Sequence, residues 1–248
     1  VIEFSVAIRF IAPQYIPLPI SDSTLDWKII SGVPGDKKSK LKVLVAAVAN
    51  QVVQEYQRVA QMAGLELFAL EAEALAAVRA LVPQNKKTIC LVDIGAQSTT
   101  VNIVDAGILR KSYSFDFAGN QLSYVVASAI DKGYSEAEQV KQKQGLLSQD
   151  KRVSDTLYML IDPLLVEIRK VSGEFTQFEG KEVTEVYLTG GTANLPGLKE
   201  YFSEALKRKT EVPNCFANFL YPPILSGTLQ EMAPRYSVAV GVALQGLQ

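Results

Sequence analysis

The sequence predicts an α/β protein: a body of strands and helices that carries a ligand site, preceded by a small α+β unit. Three observations lead there. Residues 89–104 are two apolar, β-rich runs joined by the short turn Asp93-Ile94-Gly95-Ala96-Gln97-Ser98-Thr99. Residues 185–198 run from a short apolar strand into Gly190 and Gly191, and then into Asn194 and Pro196, which read as the opening of a helix. Between them Leu157, Leu160, Ile161, Leu164, Leu165 and Ile168 recur at helical spacing, so residues 154–178 form a long helix with one core-facing stripe.

Taken in order, residues 1–63 read as a helix, a strand over Leu25–Ser31, a Gly-, Pro- and Lys-rich loop from Gly32 onward, a strand over Leu41–Ala49 and a helix over Gln51–Ala63. Leu65–Leu70 reads as a strand and Glu71–Leu81 as a helix returning to the main body, with a linker at Pro83–Lys87. Thr88–Phe115 holds three strands, hinged by the Asp93–Thr99 turn and by Asp105-Ala106-Gly107. Helices over 120–131, 135–145 and 154–178 follow, then the strand at 185–189, a helix opened near Asn194, and a C-terminal helix over Tyr236–Leu247. The chain therefore divides into 1–63, 64–87 and 88–248.

The two glycine turns carry the chemistry. A phosphate needs backbone N–H groups without a bulky Cβ in front of them; Gly95 and Ala96 let the chain approach, and Ser98 and Thr99 add hydroxyl donors. Asp93, at the end of a buried strand, is placed to hold Mg²⁺ through water, because Mg²⁺ prefers one or two carboxylates plus phosphate oxygens and keeps much of its hydration. At Gly190 and Gly191, bare backbone and a helix N-terminus leave room for a flat ring or a ribose. Ligands of such folds lie at the C-terminal ends of the strands, where both turns are expected to meet.

Composition excludes several function classes. With 248 residues, 48% apolar and 21% charged, the chain buries one or two real cores, and its net charge of −1 gives no electrostatic reason to bind nucleic acid or an anionic membrane. The absence of histidine removes the commonest general base and metal ligand. Cys90 and Cys215 make no disulfide or metal framework, and cytoplasm is the compartment this usage favours. No apolar run is long enough to span a bilayer, so attachment to a membrane would come through a partner.

The same residues carry a family resemblance. Asp93–Thr100 resembles the second phosphate loop, and Leu188–Asn194 the adenosine loop, of the actin-like ATPase superfamily. Ser135–Lys141 resembles the helix from which a Glu and a Lys reach the adenosine end of the nucleotide; Glu138 and Lys141, at i and i+3, share a helix face. Within the superfamily the chain resembles the PilM family of type IV pilus assembly, through Gln14–Ile20, Leu25-Asp26-Trp27, Tyr221-Pro222-Pro223 and Tyr236–Leu244. The likeness runs over nearly the whole chain.

The resemblance implies an actin-like, ribonuclease H-like domain with an inserted α+β subdomain, in which 1–63 is that subdomain in part, 64–87 a remnant of the first actin-like domain with its linker, and 88–248 the second. Full-length members begin with a further region carrying the first phosphate loop, so the chain is expected to be N-terminally truncated. It also implies ATP and Mg as cofactors, with Asp93, Gly95, Ala96, Gln97, Ser98, Thr99, Glu138, Lys141, Gly190, Gly191, Thr192 and Asn194 at the nucleotide. Glu71 falls near the position from which related enzymes orient water, in what is at most a slow ATPase. The implied partner is the cytoplasmic N-terminal tail of a PilN-like inner-membrane protein, beside other pilus assembly proteins and self-association of the truncated chain. Two competing readings are an FtsA-like or kinase-like ATPase of the same fold, and a protein-binding fragment without a competent nucleotide site.

Overall fold

In the computed structural model, residues 2–34, 40–82 and 86–247 are described, and they fall into two compact units, Val1–Ala72 and Glu73–Gln248. The expected loop beyond Gly32 and the linker at Pro83–Lys87 lie largely outside the described residues.

The first unit contains α1 (Ile2–Ile11), β1 (Ser23–Ser31), β2 (Lys42–Ala49) and α2 (Asn50–Met62). Its two strands pair antiparallel, with Trp27 opposite Val45, as the runs of β-branched residues lead one to expect. Leu65–Leu70 does not form the expected strand: the segment takes no place in the described two-stranded sheet, and a strand exists only through its pairing.

The second unit comprises α3 (Glu73–Leu81), β3 (Thr88–Ile94), β4 (Thr99–Asp105), β5 (Ile108–Phe115), α4 (Gly119–Ile130), α5 (Tyr134–Gln144), α6 (Lys151–Glu179), β6 (Glu185–Thr189), α7 (Leu198–Leu206), β7 (Lys209–Glu211) and α8 (Ser226–Gln245). The sheet order is β5-β4-β3-β6-β7. β3 runs parallel to β6 and antiparallel to β4, so the sheet is mixed. Helix α3 was expected in a separate segment with the linker. It belongs instead to this unit, because Ala77, Val78 and Leu81 bury against Ile89, Leu91 and Val104.

Alternation along β3 builds both layers of the core. Cys90, Val92 and Ile94 face Leu122 and Val126 of α4 and Leu157, Ile161 and Ile168 of α6, whereas Ile89 and Leu91 face α3 and Ala233 of α8. Odd positions of β3 thus point toward α3, which places Asp93 on that face at the strand's end. Side chains buried on both sheet faces explain the near-continuous apolar run of residues 89–94.

Helix α8 begins ten residues before the expected Tyr236, because Pro234 reads as a helix boundary but lies inside the helix. Its carbonyl is put to use: it accepts the Gly190 N–H at 2.9 Å and the Thr189 hydroxyl at 3.0 Å. Thr189 is fully buried, so Thr189→Val, which keeps the shape and removes that hydroxyl, is expected to lower unfolding free energy by about 1 kcal/mol, read as a lower urea midpoint at unchanged slope. Among the described residues no helix is long and apolar enough to cross a membrane.

Candidate functional site

Parallel pairing of β3 with β6 puts Asp93 opposite Thr189, so the chain leaves both strands side by side at the same end of the sheet. The two glycine bends are therefore in contact. The Thr192 N–H donates to the Ile94 carbonyl at 3.2 Å. Gly190 has φ +86°, and a Cβ there would stand 2.4 Å from Asp93 Oδ1 and 2.5 Å from the Ile94 oxygen.

The first bend is closed by the Gly95 N–H donating to the Ser98 carbonyl at 3.0 Å. The N-terminal turn of α4 then seats on it: the Gly119 N–H donates to the Gly95 carbonyl at 2.9 Å and the Asn120 N–H to the Ala96 carbonyl at 3.0 Å. Gln97 and Ser98 are exposed on the bend. Thr99 was expected to offer its hydroxyl to a phosphate, but it is fully buried and its Oγ1 donates to the Phe117 carbonyl at 2.8 Å. Thr99 therefore holds the bend in place and has no donor left for a ligand.

The helix expected to open near Asn194 starts at Leu198. Residues 191–197 form successive turns, and Gly197, at φ +83°, holds a conformation that keeps Pro196 out of the helix. The helix end that meets the bends is consequently that of α4. Asn194 is tied to α8 instead, its Nδ2 donating to the Glu231 carbonyl at 2.7 Å.

Burial, and after it the nearby charge of Glu73, pushes the Asp93 carboxyl up to about 6. Glu73, in the first turn of α3, was not singled out by the sequence; the expected Glu71 lies in the first unit, two residues before that helix begins. A half-buried Asp93 whose charge is disfavoured by burial and by Glu73 suits a divalent cation, and a single carboxylate matches the sparse protein donor set that Mg²⁺ accepts. Among the described residues no cluster of three or more metal-ligating His, Cys, Asp or Glu side chains exists.

On α5, Glu138 and Lys141 meet as the i, i+3 spacing requires, with Nζ to Oε2 at 2.8 Å. Burial by itself would raise the Glu138 carboxyl, but hydrogen bonds from Lys141 and Ser123 together with the Lys141 charge hold it below the usual range. A cavity of about 750 Å³ opens beside this pair. Of the expected site residues, Ala96, Glu138, Lys141, Gly191, Thr192 and Asn194 line it. Asp93, Gly95, Gln97, Ser98, Thr99 and Gly190 are not in its wall; they belong to the two bends whose Ala96, Gly191 and Thr192 are.

Further lining comes from residues the sequence reading passed over: Gly119 and Asn120 of α4, Gln142 and Lys143 of α5, and Gly227, Gln230, Glu231 and Arg235 of α8. Those on α8 precede Tyr236, where the sequence places the start of the C-terminal helix. Bare backbone at Gly191 and Gly227, flanked by cationic side chains and carboxylates, gives the cavity the mixed lining that a phosphorylated, hydroxyl-bearing ligand requires.

The family described as type IV pilus assembly protein PilM matches residues 2–247. The cell division protein FtsA of Escherichia coli strain K12 is 23% identical, the match covering 96% of this chain and 62% of FtsA. That of Pseudomonas aeruginosa is 24% identical, with coverage of 84% and 54%. The chain thus spans about half the length of the curated relatives it matches, 42% in the FtsA of Staphylococcus epidermidis. Among solved structures, a PilM-PilN type IV pilus biogenesis complex superposes with a TM-score of 0.81 at 25% identity, covering 99% of this chain and 73% of that one. MreB 5 of Spiroplasma citri bound to AMPPNP has a TM-score of 0.58 at 18% identity, covering 79% of this chain and 64% of that one, and shares the actin-like fold.

Proposed function

This chain belongs to the PilM family of type IV pilus assembly proteins, and from that premise we propose that it is an ATP-binding actin-like scaffold that docks the tail of a PilN-like protein. The observation that carries the nucleotide half is the contact of two glycine bends, remote in sequence, beside a cavity of about 750 Å³. In this reading the bend at Gly95–Ser98 and the first turn of α4 receive the phosphates, whose charge is favoured by the positive end of the helix dipole. The second bend, Gly190–Asn194, faces the nucleoside, and Glu138 offers a carboxylate to ribose hydroxyls.

Mg²⁺ would be held by Asp93 through water, with Glu73 nearby, and would supply charge neutralisation at the phosphates. Glu73 rather than Glu71 is the acid we place closest to that chemistry, because it is the charge felt by Asp93. The partner half rests on family membership and on likeness to the solved PilM-PilN complex. Binding of an inner-membrane partner's tail would hold the protein at the cytoplasmic face of that membrane, with nucleotide occupancy setting how firmly the tail is held.

Gly191 supplies a clean test, since a Cβ there meets nothing within 4 Å and a larger side chain would enter open cavity instead of core. Gly191→Leu is expected to weaken ATP–Mg binding at least tenfold in a calorimetric titration, with thermal unfolding unchanged. ATP binding equal to that of the parent chain would refute the assignment of this cavity.

A further inference from the structure

Lys141 is one of the most completely paired side chains of the site. It is 5% exposed, and its ammonium donates to the Gly119 carbonyl at 2.8 Å, to Ser123 Oγ at 2.7 Å and to Glu138 Oε2 at 2.8 Å. A lysine ammonium has three donors. All three are taken, so none remains for a nucleotide, although the side chain forms part of the cavity wall.

What Lys141 holds is more informative than what it lines. Gly119 is the first residue of α4, and its N–H is the donor to Gly95 in the phosphate bend. Ser123, fully buried and one turn further along α4, accepts from Lys141 and donates to Glu138. A chain of hydrogen bonds therefore runs from α5 through Ser123 and the Gly119 carbonyl to the N–H groups that seat on Gly95 and Ala96. Nothing about a serine inside an apolar helix marks this in the sequence.

We propose that Lys141 and Ser123 are positioning residues that lock the first turn of α4 onto the phosphate bend, so that Lys141 acts on a bound nucleotide through Gly119 and not by touching it. The proposal deepens the nucleotide reading above and rests on it for the ligand. Its physical basis is that a charge-assisted hydrogen bond in a buried setting holds its acceptor more firmly than a neutral one, and the acceptor here belongs to the residue that donates to the bend. Ser123 makes the test sharp, because it is not in the cavity wall and cannot contact a ligand.

Two measurements decide it. In the ligand-free chain, Ser123→Ala and Lys141→Met are each expected to speed amide hydrogen exchange at Gly119 and Asn120 at least tenfold while the β6 amides of Val186–Leu188 keep their protection. Unchanged exchange at Gly119 overturns the lock, and so does equal acceleration in β6 in both variants, which would mean a general loss of stability. In calorimetric titrations the same variants are expected to weaken ATP–Mg at least tenfold and adenosine less than twofold. Lys141→Arg is expected not to rescue, since a planar guanidinium cannot place donors on these three acceptors. Rescue by arginine, or equal weakening of ATP and adenosine, overturns the proposal in favour of direct contact. A parent chain that binds no ATP overturns the nucleotide reading and the phosphate assignment together, whereas unchanged exchange in an ATP-binding chain overturns the lock alone.

Discussion

Gly190→Ala is expected to remove nucleotide binding and to lower the unfolding free energy by about 3 kcal/mol or more, although it adds a single methyl group. Two costs combine. At φ +86° an L-residue is strained, by roughly 1 to 3 kcal/mol for a residue held in the left-handed region. The new Cβ would also stand 2.4 Å from Asp93 Oδ1 and 2.5 Å from the Ile94 carbonyl oxygen, well inside van der Waals contact. The backbone on both sides of the clash is held: the Ile94 oxygen accepts from Thr192 N–H, and the Gly190 N–H is itself tied to the Pro234 carbonyl of α8.

The substitution therefore pushes the two bends apart or pulls one of them off the sheet. Both spoil the geometry that we assign to phosphate and nucleoside. Urea unfolding followed by far-ultraviolet circular dichroism gives the stability, and calorimetry with ATP–Mg gives the binding. The contrast with Gly191→Leu is informative, because that substitution blocks the cavity and leaves the fold alone. A Gly190→Ala protein as stable as its parent would show that the bends do not meet as described.

Much of this arrangement was legible in the sequence. The strands of residues 88–115 announce themselves as apolar, β-rich runs bounded by turns and the long helix α6 through its period of 3.6, and the burial of Cys90 follows from its place in such a run. The actin-like fold was legible through the family resemblance that the two glycine turns help to carry. Less visible was anything decided by tertiary partners. Pro234 marks a helix end to a reader of local signals, but α8 runs through it because Ala233 and Ser237 are buried beside it and its carbonyl is satisfied from Thr189 and Gly190.

The same reason explains the misplaced start of α7, where Gly197 overrides Asn194 and Pro196. It explains why Leu65–Leu70, strand-like in composition, pairs with no described strand. Site roles were hardest to read. Thr99 looks like a phosphate donor until its hydroxyl is found on Phe117, and Glu71 looks as suitable as Glu73 until the face of β3 that carries Asp93 is known. Hydrogen-bond saturation of Lys141 cannot be read from an i, i+3 spacing at all.

Asp93→Asn is expected to make the empty protein more stable and the nucleotide site inert toward Mg²⁺. Burial is the larger cause, and the Glu73 charge the smaller, of an Asp93 carboxyl raised from 3.8 to about 6. For an acid whose pKa is higher in the folded than in the unfolded chain, folding is opposed by the ionised form. The penalty is full above about pH 6, shrinks as the pH falls and is gone below about pH 4. A shift of this size corresponds to about 2 kcal/mol at neutral pH, allowing for partial solvation of the site. Asn keeps the shape and carries no charge, so the variant should gain about that amount at pH 8 and nothing at pH 4. Parent stability alone does not isolate the effect, because Asp105, Glu138 and Glu185 are held below their usual range and contribute stability that is lost as pH falls. The difference between parent and variant does isolate it, and urea midpoints at pH 8, 6 and 4 provide the curve. Calorimetry completes the argument: with Mg²⁺ present the variant should bind ATP at least tenfold more weakly than the parent, while in chelator the two should bind equally or the variant more tightly, since it has lost a repelling carboxylate. A variant no more stable than its parent at pH 8, yet equally responsive to Mg²⁺, would place both the strain and the cation elsewhere.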